Sequence, residues 1–120
     1  LFVPVIHNAQ SMSSEEIRNT INQFKTDVEN RSIAPEQLQG STITLSNFGK
    51  FAGKFASPII VPPSVAIIAV GRRYSGVGIN ANGHPQAQPY LPLSLSFDHR
   101  AVTGGEATRF LGAMMQSLQD

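Results

Sequence analysis

The sequence predicts an α+β sandwich built on a mixed, mostly antiparallel sheet, and three observations carry that expectation. Apolar residues switch from short β-branched runs to helical spacing and back again. "LPLSLSFD" (residues 91–98) alternates, with Leu91, Leu93, Leu95 and Phe97 on one face and Ser94 and Ser96 on the other. An Asn82-Gly83 pair separates two short runs, as in a hairpin. At 120 residues the chain makes one domain at most. A chain of this size can bury roughly two-thirds of the surface it exposes when unfolded.

Taken in order, "LFVPVI" reads as a short buried strand, already under way at Leu1, so the chain is expected to be a piece of something longer. Ile17, Ile21, Phe24 and Val28 then recur at helical period, and Ser13 with Glu16 has the spacing of a capping box. "APEQLQG" predicts a helical turn, with Pro35 at its first position and Gly40 as its stop. "STITLSNFG" is a strand ending in an Asn-Phe-Gly turn. Residues 50–64 lack a period and form a long loop. "VAIIAVG" has the continuous apolar character of a fully buried strand. "GRRYSGVGINANGHPQAQPY" follows as the hairpin. Ala107, Phe110, Leu111, Met114, Met115 and Leu118 make a single stripe along a last helix.

Hydrophobic residues at 41% and charged residues at 14% are the balance of a globular protein. The net charge of +1, with Arg72-Arg73 the only adjacent cations, argues against nucleic acid and anionic membrane as partners. No cysteine is present, so disulfides and thiolate metal sites are excluded. His7, His84 and His99 do not share a helical ligand spacing, so no metal is expected. "GVGINA" is a loose dinucleotide pattern with no helix behind it, and no G-x-S-x-G elbow occurs.

His99 stands out among the histidines. It lies where a strand ends, between Asp98 and Arg100, and ahead of the Gly104-Gly105 pair. From spacing alone, a catalytic base and a solvated charged turn are equally good readings. For Ser46-Asn47, taken alone, a turn initiator is the better reading.

"DHRAVTGG" at 98–105, with "TITLSNFG" and "SPIIVPPSVAIIAVG" upstream, resembles the dihydrolipoamide acyltransferases of 2-oxo acid dehydrogenase complexes. The resemblance covers residues 1–120 as the C-terminal portion of the acyltransferase catalytic domain. It implies a chloramphenicol-acetyltransferase-like two-layer sandwich with helices on one face. It also implies transfer of an acyl group, acetyl being the commonest, between the thiols of dihydrolipoamide and coenzyme A. Coenzyme A is then a substrate, the lipoyl group is carried on a separate domain outside this chain, and no metal takes part. His99 matches the general base, Ser46 the hydroxyl that stabilises the oxyanion, and Arg100 the supporting arginine of the motif. Thr103 stands where the family usually has Asp, and Arg100 then needs another partner, for which Glu106 is a candidate.

Base and hydroxyl come from different subunits in this family. The resemblance therefore implies a homotrimer that builds a 24-mer or 60-mer core, with the 50–64 loop and the last helix as intersubunit contacts. Decarboxylase and dihydrolipoamide dehydrogenase components would bind through domains outside this chain. Pyruvate dehydrogenase is the type of complex implied, in the bacterial cytoplasm or the mitochondrial matrix. A core protein of the same fold that has lost catalysis, a branched-chain acyltransferase and an antibiotic acetyltransferase are the alternatives.

Overall fold

The computed structural model describes residues 1–119 and divides into two compact units, Leu1–Thr42 and a second from Ile43 onward. In the first unit, helix α1 spans Ser14–Glu29. Its start is the expected capping box: Glu16 N–H donates to Ser13 Oγ (3.2 Å) and Ser13 N–H donates to Glu16 Oε2 (2.6 Å). Those bonds from Ser13 hold the Glu16 carboxyl below its usual range. Its end is a Schellman motif, in which Ser32 N–H reaches the Asp27 carbonyl (2.8 Å) and Arg31 N–H that of Val28 (3.2 Å). Arg31 takes the left-handed position at φ 54°, where glycine is the usual occupant.

The expected strand at residues 1–6 does not form. Its composition suits a strand, but among the described residues no neighbour offers it a ladder. Instead Val5 N–H donates to the Gln37 carbonyl at 2.7 Å. Gln37 belongs to the predicted helical turn, a 3-10 turn at Pro35–Leu38 with Pro35 in its opening position. Gly40 follows at φ 85°, where a side chain would be strained.

In the second unit, β1 (Thr44–Asn47), β2 (Ala66–Val70) and β5 (Leu93–Phe97) form a sheet in the order β1-β2-β5. β1 runs parallel to β2 with Ser46 opposite Ala69, and β5 runs antiparallel to β2 with Ser94 opposite Ala69. The central strand carries the core: Ile67, Ile68 and Ala69 are buried, as the unbroken apolar run predicts. β5 does not show the two clean faces that its alternation predicts, because every one of its residues is half-buried. The last helix lies against it, and both faces of the strand are partly covered.

β3 (Tyr74–Ile79) and β4 (Pro85–Tyr90) form a separate antiparallel ribbon, so the strands make two small sheets. Its turn is the predicted one, of the longer kind. Gly83 N–H donates to the Asn80 carbonyl (2.9 Å), Asn80 N–H donates to that of His84 (2.8 Å), and Gly83 alone in the turn takes positive φ, at 79°. That is a type I turn closed by a glycine bulge. Residues 50–64 form the expected loop, irregular throughout. Helix α2 (Gly104–Gln119) packs against β5 through a stripe in which Ala107 is buried. The same stripe leaves Phe110, Met115 and Leu118 exposed, so half of its apolar width has no cover. Among the described residues no helix is long and apolar enough to cross a membrane.

Candidate active site

His99 sits in a tight turn between β5 and α2. The turn continues the sheet, since Asp98 N–H donates to the Val65 carbonyl (2.8 Å). The Asp98 carbonyl accepts from Ala101 N–H (3.0 Å) and Val102 N–H (2.9 Å), which folds the backbone back beneath the histidine. The Asp98 carboxylate closes the turn from the other side. Its Oδ1 accepts from Arg100 N–H (2.9 Å) and Nε (3.0 Å), and its Oδ2 from Nη2 (2.8 Å). These bonds from Arg100 hold the Asp98 carboxyl down to about 2 and raise the guanidinium above its usual value.

The side chain between those two is thus presented by a braced loop. The imidazole is exposed, its ring centroid 5.6 Å from that of Phe97, and the hydrogen bonds of the turn leave both ring nitrogens to other partners. Arg100 takes its anion from two residues upstream, so Glu106 is not its partner. Glu106 belongs to Thr103: its Oε2 accepts from Thr103 N–H and Oγ1, both at 2.8 Å, and its own N–H donates to Thr103 Oγ1 (3.2 Å). Thr103 and Glu106 are therefore the capping box of α2, and Thr103 holds the Glu106 carboxyl below its usual range. The T-x-x-E spacing at 103–106 repeats the one that marks α1 at 13–16, and it is the signal by which this role is readable.

Ser46 lies in β1, half-buried, one residue before the strand ends at Asn47. The Asn47 side chain accepts from Gly49 N–H (3.1 Å), the turn that its sequence suggests. The register places Ser46 and His99 at opposite ends of the sheet. Ser46 is level with Ser94, two strands away, and His99 is five residues beyond Ser94. With strands about 4.8 Å apart and a rise of about 3.3 Å per residue, the two are separated by roughly 19 Å. One chain does not bring them to a common substrate.

His7 donates from Nε2 to the Gln39 carbonyl (2.8 Å), a structural tie within the first unit, and His84 closes the ribbon turn. The cations are less dispersed than the sequence suggests. Arg72 N–H donates to the Gly53 carbonyl (2.9 Å) and Lys54 Nζ lies 4.2 Å from the centre of the Tyr74 ring, which brings the 50–54 and 72–74 segments together. Nothing in residue spacing gives this pairing.

Residues 1–120 match the sequence model of the 2-oxoacid dehydrogenases acyltransferase (catalytic domain) along their whole length. The chain belongs to this family. The acetyltransferase component of the Bacillus subtilis pyruvate dehydrogenase complex is 38% identical over 120 residues, all of this chain and 27% of that protein. The succinyltransferase component of the Azotobacter vinelandii 2-oxoglutarate dehydrogenase complex is 37% identical, again over all of this chain and 30% of its own length. The chain thus spans less than a third of these relatives.

Among solved structures, the dihydrolipoamide acetyltransferase of Azotobacter vinelandii superposes with a TM-score of 0.92 at 29% identity, covering 99% of this chain and 49% of that one. The cubic core of a pyruvate dehydrogenase multienzyme complex does so at 0.86 and 30% identity, covering 92% and 45%. The fold is that of these acyltransferase cores, in the α+β class that the sequence predicts. The Azotobacter structure concerns the role of a serine, a histidine and an asparagine in the catalytic mechanism, with 52 positions from serine to histidine and four from histidine to asparagine.

Proposed function

We propose that the full protein transfers an acyl group between the thiols of dihydrolipoamide and coenzyme A, with His99 as base and Ser46 as oxyanion donor. The observation that carries this reading is the spacing of the triple. Ser46, His99 and Thr103 stand 53 and four positions apart, against 52 and four for the serine, histidine and asparagine of the Azotobacter enzyme. That asparagine is neutral, as Thr103 is, so the reaction does not depend on a carboxylate there.

The chemistry follows from the two side chains. A free thiol has a pKa of about 8.5, so few are ionised at neutral pH. The His99 imidazole takes the S–H proton, and the sulfur attacks the carbonyl carbon of the acyl thioester. The Ser46 hydroxyl donates to the oxygen as it becomes an oxyanion, worth on the order of 3 kcal/mol when the donor is preorganised. Collapse of the tetrahedral species expels the second sulfur, which recovers the proton from the imidazolium. No covalent enzyme intermediate forms.

A separation of roughly 19 Å within one chain means that Ser46 of one copy works with His99 of another. We propose a homotrimer with one site at each interface, assembled into a larger core as in the cubic pyruvate dehydrogenase structure, with a 24-mer or 60-mer as its size. Uncovered Phe51, Phe55, Ile59 and Val61 in the 50–64 loop and Phe110, Met115 and Leu118 on α2 are the surfaces offered to neighbours. Lipoyl domains, and the decarboxylase and dihydrolipoamide dehydrogenase components, complete the proposed complex in the bacterial cytoplasm or mitochondrial matrix. The test is thiol release by the full-length protein with acetyl-, succinyl- and isobutyryl-coenzyme A. Acetyl transfer is expected, and His99→Ala lowers it at least a hundredfold. Undiminished transfer by that variant contradicts the role of His99.

A further inference from the structure

Phe97 is the last residue of β5, and it stands between the interior of the second unit and the exposed His99. Its Cα partner on β2 is Ala66, and along the same ladder Leu95 pairs with Ile68 and Leu93 with Val70. Side chains two apart on a strand share a face, so Phe97 closes an apolar row that runs past Leu93, Leu95 and the buried Ile68. The phenylalanine itself is half-buried.

His99 lies two residues further on, and the backbone between them is held. Asp98 N–H is bonded to the Val65 carbonyl, and the Asp98 carboxylate takes Arg100. The imidazole is held differently. Among the described residues no hydrogen bond of the chain reaches either ring nitrogen, and the contact of the ring is with Phe97, centroids 5.6 Å apart and planes at 42°. A histidine with one nitrogen tied to a carbonyl or carboxylate has its orientation set by that bond. His99 has no such tie within the chain, so its orientation falls to the aromatic neighbour, at a separation typical of tilted ring pairs.

We infer that Phe97 is a positioning residue, whose ring, rooted in the apolar face of the sheet, holds the His99 imidazole where it can take the thiol proton. The inference rests on the acyl-transfer reading and adds to it a side chain that does not touch substrate. Proton transfer needs the ring nitrogen within hydrogen-bond reach of the sulfur, and a displacement of about 1 Å can cost on the order of a hundredfold in rate. Packing alone is the competing role, since a half-buried phenylalanine also fills the end of a core row. The two roles differ in what they move. Packing shows in stability, whereas placement of the base shows in kcat with KM unchanged, because it serves the transition state and not the binding of either thiol.

The test compares the full-length protein with Phe97→Leu, which keeps apolar bulk without the ring, and Phe97→Tyr, which keeps the ring. Phe97→Leu is expected to lower kcat about fivefold or more, with KM for coenzyme A and for dihydrolipoamide within about twofold of the parent's. Phe97→Tyr holds kcat within about twofold. Made in His99→Ala, the leucine change leaves the residual rate within about twofold, since no imidazole remains to be placed. If Phe97→Leu does not assemble, Phe97→Met, which also lacks the ring, is read in its place. An unchanged kcat in the ringless variant overturns the inference, and so does an equal fall in Phe97→Tyr or in the His99→Ala background. NMR of protein labelled with 13C-histidine reads the contact without turnover. The His99 ring resonances, identified by their loss in His99→Ala, are expected to move toward those of an isolated histidine in Phe97→Leu and to stay in Phe97→Tyr. That result in a protein without acyl transfer upholds the hold of Phe97 on His99, and only the acyl-transfer reading falls. Resonances unmoved in Phe97→Leu overturn the inference.

Discussion

Replacing Thr103 separates its structural role from a chemical one. Thr103→Val keeps the shape and removes the hydroxyl that accepts from Glu106 N–H at 3.2 Å and donates to Glu106 Oε2 at 2.8 Å. The backbone bond from Thr103 N–H to Glu106 survives. Loss of an N-cap hydroxyl costs about 1 kcal/mol. In a catalytic domain about twice the length of this chain, that lowers Tm by about 2–4 °C. Thr103→Asn and Thr103→Asp both retain a capping oxygen and stay within a few tenths of a kcal/mol of the parent. Urea unfolding of the assembled protein reads the stability, and acyl transfer on the same samples reads the rate. Activity within about threefold of the parent is expected for Asn and Asp. Two results would refute the reasoning: Thr103→Val leaving stability untouched while the rate falls a hundredfold, or Thr103→Asp raising the rate several hundredfold.

Two further predictions concern the local frame. The Asp98 carboxyl, followed by NMR, titrates at about 2, and in Arg100→Gln it returns toward its ordinary 3.8. Because the folded value lies below the unfolded one, the brace around His99 is complete above about pH 4 and is lost as pH falls through 2. A titration near 3.8 in the parent would show that the brace is absent in solution. Arg31→Gly relieves the left-handed residue at φ 54° and raises stability by about 0.5–1 kcal/mol in the same urea assay. A fall in stability would show that the Arg31 side chain makes a contact worth more than the strain.

Features set by a few adjacent residues were legible in the sequence. The Ser13–Glu16 box, the Pro35 turn with its Gly40 stop and the buried run of β2 all follow from local spacing, and each lies where it was expected. Features that need a partner were not. Residues 1–6 have strand composition but no neighbour among the described residues to ladder with, and β5 is half-buried on both faces because of packing that its own alternation does not contain. Thr103–Glu106 carried the same capping signal as Ser13–Glu16. The resemblance points instead to a carboxylate at Thr103 and to Glu106 as the partner of Arg100, whereas Asp98, two residues away, takes the guanidinium and Glu106 takes Thr103. The cation cluster and the distance between Ser46 and His99 depend on register and on loop packing, which no window of sequence contains.

Ser46 and His99 are proposed to act from different copies of the chain, and mixing two variants tests this directly. Ser46→Ala and His99→Ala proteins are each inactive within about one per cent of the parent. Unfolded together and reassembled at equal concentration, they place an intact Ser46 beside an intact His99 at roughly a quarter of trimer interfaces. Recovery of about a quarter of parental acyl transfer is the expected result. Co-assembled protein with no more activity than either variant alone would contradict the claim.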